Sequence, residues 1–178
     1  MIIATTPINF RNRYNNDRNM GASLCIAIEG TNKPRPHLTS IEEVWEYSEA
    51  KKQTEVNPSQ YWSNIIRVRF DNIQTQQPKR ILFSEDEASE ILANTLDFTL
   101  DVRNYEHIVV VCSMDKSRGA AVALFLAQLK AERVILDLKG NGWVSYNPHV
   151  FEILRNKYDE WAEEKGLLKY NQKVILRD

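Results

Sequence analysis

The chain alternates short apolar runs with polar stretches that punctuate them. Met1 to Thr5 is apolar and β-prone, and after a polar, Asn/Arg-rich connector carrying Pro7 a second run, Ser23 to Ile28, reads as a strand. Gly30 to Pro36 has turn chemistry, and Thr39/Ser40 ahead of Glu42 and Glu43 predicts a helix running to about Lys51. Asn64 to Phe70 alternates as a strand and ends at Asp71-Asn72, before a Gln-rich loop to Arg80. Ser84 with Glu87 three residues on is a capping-box pattern, and Ala88, Ile91, Leu92, Leu96 and Phe98 continue it at helical spacing.

From His107 to Val111 the chain is β-branched and continuously apolar after the His, the pattern of a central strand covered on both faces. Residues 119 to 130, rich in Ala, Leu and Phe, predict a buried helix, and Arg133 to Leu138 predicts a further strand, parallel because that helix must cross over to reach it. Gly140, Asn141 and Gly142 break that strand. Pro148 suits a helical first turn, and Val150, Ile153, Leu154, Tyr158 and Trp161 form the stripe of a terminal helix ending near Gly166. Strands alternating with helices give an α/β domain with a mostly parallel central sheet flanked by helices, and ligands of such sheets bind at the carboxyl ends of strands. No linker or repeat divides the 178 residues, which read as a single domain, 1–178.

Charge narrows the partners. With 23 basic and 24 acidic side chains the chain has no bulk attraction for nucleic acid or an anionic membrane, so anion recognition must be local. The two cysteines, Cys25 and Cys112, and the lack of a signal-like or membrane-spanning run point to a reducing, cytoplasmic setting with free thiols. A Cys25–Cys112 disulfide stays open at this point, although each cysteine lies in a strand-like segment where a buried hydrophobe or reactive thiol is expected.

The candidate chemistry sits at the end of the central strand, where Cys112-Ser113-Met114-Asp115-Lys116-Ser117-Arg118 leads into the Ala-rich helix. Backbone N–H groups in a tight loop opening a helix make a concave donor array, and the helix dipole adds positive potential. The same field, with an adjacent guanidinium, favours a thiolate at Cys112. Arg118 can hold two oxygens of a phosphoryl group, and Ser117 can cap the helix or hydrogen-bond the thiolate.

At these residues the chain resembles the cysteine-dependent protein tyrosine and dual-specificity phosphatases, whose hallmark is Cys-x5-Arg between a strand and a helix. It is similar in particular to the bacterial dual-specificity-like branch through Arg69-Phe70-Asp71-Asn72-Ile73 and Tyr146-Asn147-Pro148-His149-Val150, a likeness covering roughly residues 60 to 160. The resemblance implies a protein tyrosine phosphatase-like fold and a phosphocysteine intermediate, with no metal or cofactor. Cys112 would be the nucleophile, Arg118 the phosphate ligand, and residues Ser113, Met114, Asp115, Lys116 and Ser117 the rest of the phosphate-binding loop. Asp71, 41 residues before Cys112, is the choice for the general acid, although the family often carries that aspartate where this chain has Asn72; Asp86 reads as a surface acid in a helical first turn.

Three positions depart from the pattern. Val111 replaces the usual His before the nucleophile, Asp115 a common glycine, and Gly119 the Ser/Thr whose hydroxyl assists thiolate departure. Related low-molecular-weight phosphatases also lack that glycine, and Lys116 stands where phosphoinositide phosphatases carry Lys. The expected substrate is a phosphorylated protein or small phosphomonoester. The alternatives are a pseudophosphatase that binds phosphate with little turnover, and sulfur transfer or arsenate reduction on a similar cradle, the latter needing Cys25 as a second thiol. Asn147 reads as a helix cap that can also orient the loop, His107 and Cys25 as structural, and Trp45, Trp62, Trp143 and Trp161 as packing residues, Trp143 with a place at the active edge. Arg11, Arg13 and Arg18 read as a solvated connector.

Overall fold

A computed structural model describes residues 1–15, 22–30, 62, 64–112, 116–137 and 145–176, without the Lys116 side chain. Among these residues five strands form one all-parallel sheet: β1 (Ile2–Thr5), β2 (Leu24–Glu29), β3 (Asn64–Arg69), β4 (Ile108–Cys112) and β5 (Val134–Asp137), in the order β3-β2-β4-β1-β5. The helices are α1 (Pro7–Asn9), which runs on into a π-helical turn at Phe10–Tyr14, then α2 (Glu85–Thr95), α3 (Lys116–Lys130), α4 (Pro148–Lys165) and α5 (Tyr170–Ile175). The helix expected between residues 39 and 51, the break at 140–142, Trp45, Trp143 and Arg18 lie outside the described residues.

β4 is the middle strand, and all five of its residues are buried because both faces are covered. Its even-numbered side chains, Ile108, Val110 and Cys112, join the large core under α2, α3, α4 and α5, while Val109 and Val111 face a smaller core with Ile3, Phe10, Cys25, Ala27 and Trp62. The position where the phosphatases carry His is therefore a core position here, packed with Ile3, Phe10, Cys25, Ala27, Trp62 and Val109.

Local signals set the helix ends. Ser84 accepts from the Asp86 N–H and Glu87 accepts from the Ser84 N–H, and three acids occupy the first turn of α2. α2 stops at Thr95, since Leu96 is already extended (φ −107°, ψ 151°); Phe98, assigned by spacing to the apolar stripe, lies beyond the helix and is 83% exposed. Asn147 caps α4 with Pro148 following, and Gly166 closes it at φ 66°, a left-handed conformation that favours glycine. Beyond Gly166 the chain turns back as α5, which the periodicity did not predict. One buried residue anchors it: Tyr170 stacks on Phe125 at 4.8 Å and donates its hydroxyl to Gln128 at 2.6 Å.

The polar connector after β1 is likewise folded. Pro7 opens α1, capped by Thr6, and the segment is held to the far end of the sheet by Asp137. Asp137 accepts from Asn9 Nδ2, Arg13 Nη1, Tyr14 OH and Thr5 Oγ1, so Arg13, solvated as its connector position suggests, also forms an ion pair. No helix among the described residues is long and apolar enough to cross a membrane.

Candidate functional site

The strand order places a switch point between β2 and β4. From β2 the chain moves outward to β3, whereas from β4 it moves the other way, past β1, to β5. Diverging connections open a crevice at the carboxyl ends of two adjacent parallel strands, where ligands of open α/β sheets bind. In register, Ile28 of β2 pairs with Cys112 of β4, so the crevice is bordered by Glu29 and Gly30 on one side and Cys112 on the other.

Cys112 is 2% exposed, on the α3 face of the sheet. The first turn of α3 lies against it. A Cβ built on Gly119 would stand 2.9 Å from Cys112 Cβ, closer than side chains pack, and in ordinary contact with Val110 Cγ1 at 3.7 Å, so the missing side chain at 119 is what lets the helix start directly beside the thiol. Gly119 thus has a steric reason in this fold.

Arg118 is 3% exposed, which for a guanidinium demands acceptors. Its Nη1 donates to the Phe70 carbonyl at the end of β3, and its Cζ lies 5.8 Å from the centre of the Phe70 ring. Phe70 is itself fixed by its N–H to the Glu29 carbonyl, at 2.9 Å, and by packing on Phe83 with ring centres 4.6 Å apart. The cation crosses from α3 to the end of β3, over the mouth of the β2/β4 crevice. Gly30 marks the place: a Cβ there would lie 3.5 Å from Asp71 Oδ1 and 3.7 Å from Arg118 Nη1. The carboxylate and the guanidinium therefore flank the same point.

Asp71, buried at 4% exposure, closes the neck of a loop. Its N–H donates to the Ile81 carbonyl at 2.7 Å, and the Ile81 N–H donates back to its Oδ2 at 3.0 Å. Oδ1 accepts from Arg80 Nη1 at 3.2 Å. Both oxygens thus accept a donor, one of them a cation.

The opposite wall is polar and neutral. Ser117 Oγ and Asn147 Nδ2 both donate to Asn72 Oδ1, each at 2.9 Å, and the Asn147 N–H donates to the Ser117 carbonyl at 3.0 Å. Asn147 Oδ1 caps α4 through the His149 and Val150 N–H groups. Asn147 therefore caps α4 while also bonding Asn72 and Ser117. Asn72, which the sequence marked only as a departure from an acid, is the hub of this wall; an Asn beside a strand end gives no signal for that.

Of the residues singled out in sequence, Cys112, Ser117, Arg118 and Asp71 converge on one edge of the sheet, while Ser113, Met114, Asp115 and the Lys116 side chain lie outside the described residues. Asp86 is exposed in the first turn of α2, remote in role from the cradle. Cys25 is on the opposite face of the sheet, with Val109 rather than Cys112 as its register partner. An offset of three residues is about 10 Å along a strand, beyond the roughly 7 Å that a disulfide spans, and neither cysteine forms a disulfide. Burial pushes the Cys25 thiol up to about 12, so it is an inert core residue. Among the described residues no three His, Cys, Asp or Glu side chains group as metal ligands. No family model matches this chain, and no curated protein or solved structure matches it either.

Proposed function

We propose that the edge formed by Cys112, Arg118 and Asp71 is the active site of a cysteine-dependent phosphomonoesterase, acting on a phosphorylated protein or a small phosphomonoester as the resemblance to dual-specificity phosphatases implies. The observation that carries this reading is the placement of a thiol and a buried guanidinium, six positions apart, across the switch-point crevice of a parallel sheet, with the helix start pressed against the thiol. A phosphoryl dianion set there meets the N-terminus of α3 and the Arg118 cation. In-line attack by the Cys112 thiolate forms an S–P bond as the P–O bond to the leaving group breaks, and the departing oxygen takes a proton from Asp71. Water then attacks phosphorus, releasing phosphate and restoring the thiolate, with its proton returning to the Asp71 carboxylate.

A second reading, a phosphate-binding module with little turnover, draws on one specific observation. Asp71 accepts from the Arg80 guanidinium and the Ile81 N–H, and an adjacent cation favours an ionised carboxyl, which opposes its acting as a proton donor. Arsenate reduction through a Cys112–Cys25 pair has no support, because those sulfurs lie on opposite faces of the sheet.

Hydrolysis of p-nitrophenyl phosphate by the native chain, Cys112→Ser and Asp71→Ala separates the two. Turnover abolished by Cys112→Ser supports the enzyme. Phosphate release that is absent or independent of Cys112, alongside phosphopeptide binding lost in Arg118→Met, assigns the module instead.

A further inference from the structure

The side-chain amides beside the cradle have only one orientation, and it determines where a proton lies. The His149 and Val150 N–H groups are backbone donors, so the Asn147 atom facing them, at 3.0 and 3.3 Å, is its oxygen. Its nitrogen must then face Asn72, at 2.9 Å, and the Asn72 atom that meets it must be an oxygen. Ser117 Oγ, also 2.9 Å from that oxygen, can bond to it only by donating. The helix cap of α4 thereby dictates, through two amides, that the Ser117 hydroxyl proton points at Asn72 Oδ1. Ser117 cannot at the same time give that proton to the Cys112 thiolate.

Resting on the phosphomonoesterase or phosphate-binding reading of this edge, we propose that Asn72 is a positioning residue: a neutral double acceptor that locks Ser117, and with it the first turn of α3 next to Arg118, without adding a second carboxylate to that of Asp71 beside the anion site. A carboxylate at position 72 would accept the same two bonds. It would also repel a phosphoryl dianion and disfavour the thiolate, since a like charge within a few ångströms near a surface can change a binding constant about tenfold or more. The amide provides the geometry without the charge. Ser117 is held a second time through its carbonyl by the Asn147 N–H, so the helix start is tied to both the β3 end and the α4 cap.

The test compares the native chain with Asn72→Asp, Asn72→Ala and Ser117→Ala. Binding of inorganic phosphate is followed by calorimetry, the rate of Cys112 alkylation by iodoacetamide across pH, and thermal unfolding. Asn72→Asp keeps both bonds, so its melting temperature stays near the native value; phosphate binding falls about tenfold or more, the loss shrinks as salt is added, and the alkylation profile moves to higher pH. Asn72→Ala and Ser117→Ala lose bonds without adding charge, and each weakens phosphate severalfold while leaving the midpoint of the alkylation profile in place. A purely structural Asn72 would leave phosphate affinity and alkylation unchanged in Asn72→Asp, and that result overturns the assignment. Native-like phosphate binding by Ser117→Ala overturns it equally, and this variant keeps the test open should an Asn72 variant fail to fold. If the native chain binds no phosphate, the reading of the site itself falls, an outcome distinguishable from a native chain that binds and an Asn72→Asp variant that binds as well.

Discussion

Gly119 and Cys112 are in contact through a missing atom. A Cβ at 119 would come within 2.9 Å of Cys112 Cβ, with the Cys112 backbone N–H 3.9 Å away, so the helix after the cradle can begin where it does only because residue 119 has no side chain. Introducing the hydroxyl that the phosphatases this chain resembles carry at this position is therefore not a simple repair. Gly119→Ser and Gly119→Ala are expected to destabilise the fold by about 1–3 kcal/mol through overpacking, and neither raises Cys112-dependent turnover. Chemical denaturation and p-nitrophenyl phosphate kinetics on the two variants check this; a faster, equally stable Gly119→Ser would show that the wall yields.

Arg118 is anchored to the Phe70 carbonyl and ring, so its charge and its planar fork can be tested apart. Arg118→Lys keeps the charge but loses the fork and the stacking, and phosphate affinity is expected to fall about tenfold or more; Arg118→Met is expected to lose it entirely. Calorimetric titration with phosphate reads both, and equal affinity in the Lys variant would mean that the guanidinium geometry is irrelevant to binding.

The proton donor can be probed through Arg80. Arg80 holds Asp71 Oδ1 at 3.2 Å with its own side chain half-exposed, so Arg80→Ala removes a cation that favours the ionised carboxylate at little cost to the fold. p-Nitrophenolate leaves without a proton, whereas phenolate needs one. If Asp71 is the acid, the ratio of phenyl phosphate to p-nitrophenyl phosphate turnover rises in Arg80→Ala and collapses in Asp71→Asn. An unchanged ratio in both variants would leave Asp71 only its part in closing the 71–81 loop.

Much of this fold was legible where a signal was local. The unbroken apolar run of β4, the Ser84 and Glu87 box of α2, and Asn147-Pro148 with Gly166 around α4 each carry their cause within a few residues. Phe98 misled because spacing cannot see that Leu96 has already left helical geometry. α5 was hidden because what folds it is distant in sequence: Tyr170 finds Phe125 and Gln128 on α3, and Lys173 finds Asp101 and the Thr99 and Leu100 carbonyls. At the site, Cys112 and Arg118 could be found because strand, loop and helix are contiguous. Asn72 could not, since its role arises only when the end of β3, the start of α3 and the cap of α4 meet.

Cys25 gives a pH dependence of stability with a definite sign. Burial raises its thiol from 9.0 to about 12, so the native state keeps a proton that the unfolded chain releases near pH 9. The associated stability is complete below that pH and is lost as pH rises toward 12, at up to about 1.4 kcal/mol per pH unit. Tyr170, also raised by burial, adds its own loss above pH 10. Subtracting the curve of Cys25→Ala from that of the native chain cancels the tyrosine, and the difference should narrow between pH 9 and 12. A constant difference would mean that the thiol ionises alike in both states.

Asp137 and Arg13, 124 positions apart, join the end of β5 to the π-helical turn at 2.6 Å, and no local pattern announces the pair. Arg13 is mostly exposed, so the ion pair itself is worth little. The larger part is hydrogen bonding: Asp137 also takes the Tyr14 hydroxyl at 3.1 Å and the side chains of buried Thr5 and Asn9. Asp137→Ala removes the carboxylate acceptors and is expected to cost about 2 kcal/mol, with amide exchange accelerating across residues 7–14 ahead of the rest of the sheet. Asp137→Asn keeps an acceptor and cancels the charge. Tyr14 is raised first by burial and then by the Asp137 charge and hydrogen bond, so the Asn variant should titrate Tyr14 at lower pH than the native chain while losing less stability than the Ala variant. Site-resolved NMR titration of the tyrosine ring carbons, together with denaturation, reads both; equal losses in the two variants would return the weight of this junction to the Arg13 ion pair.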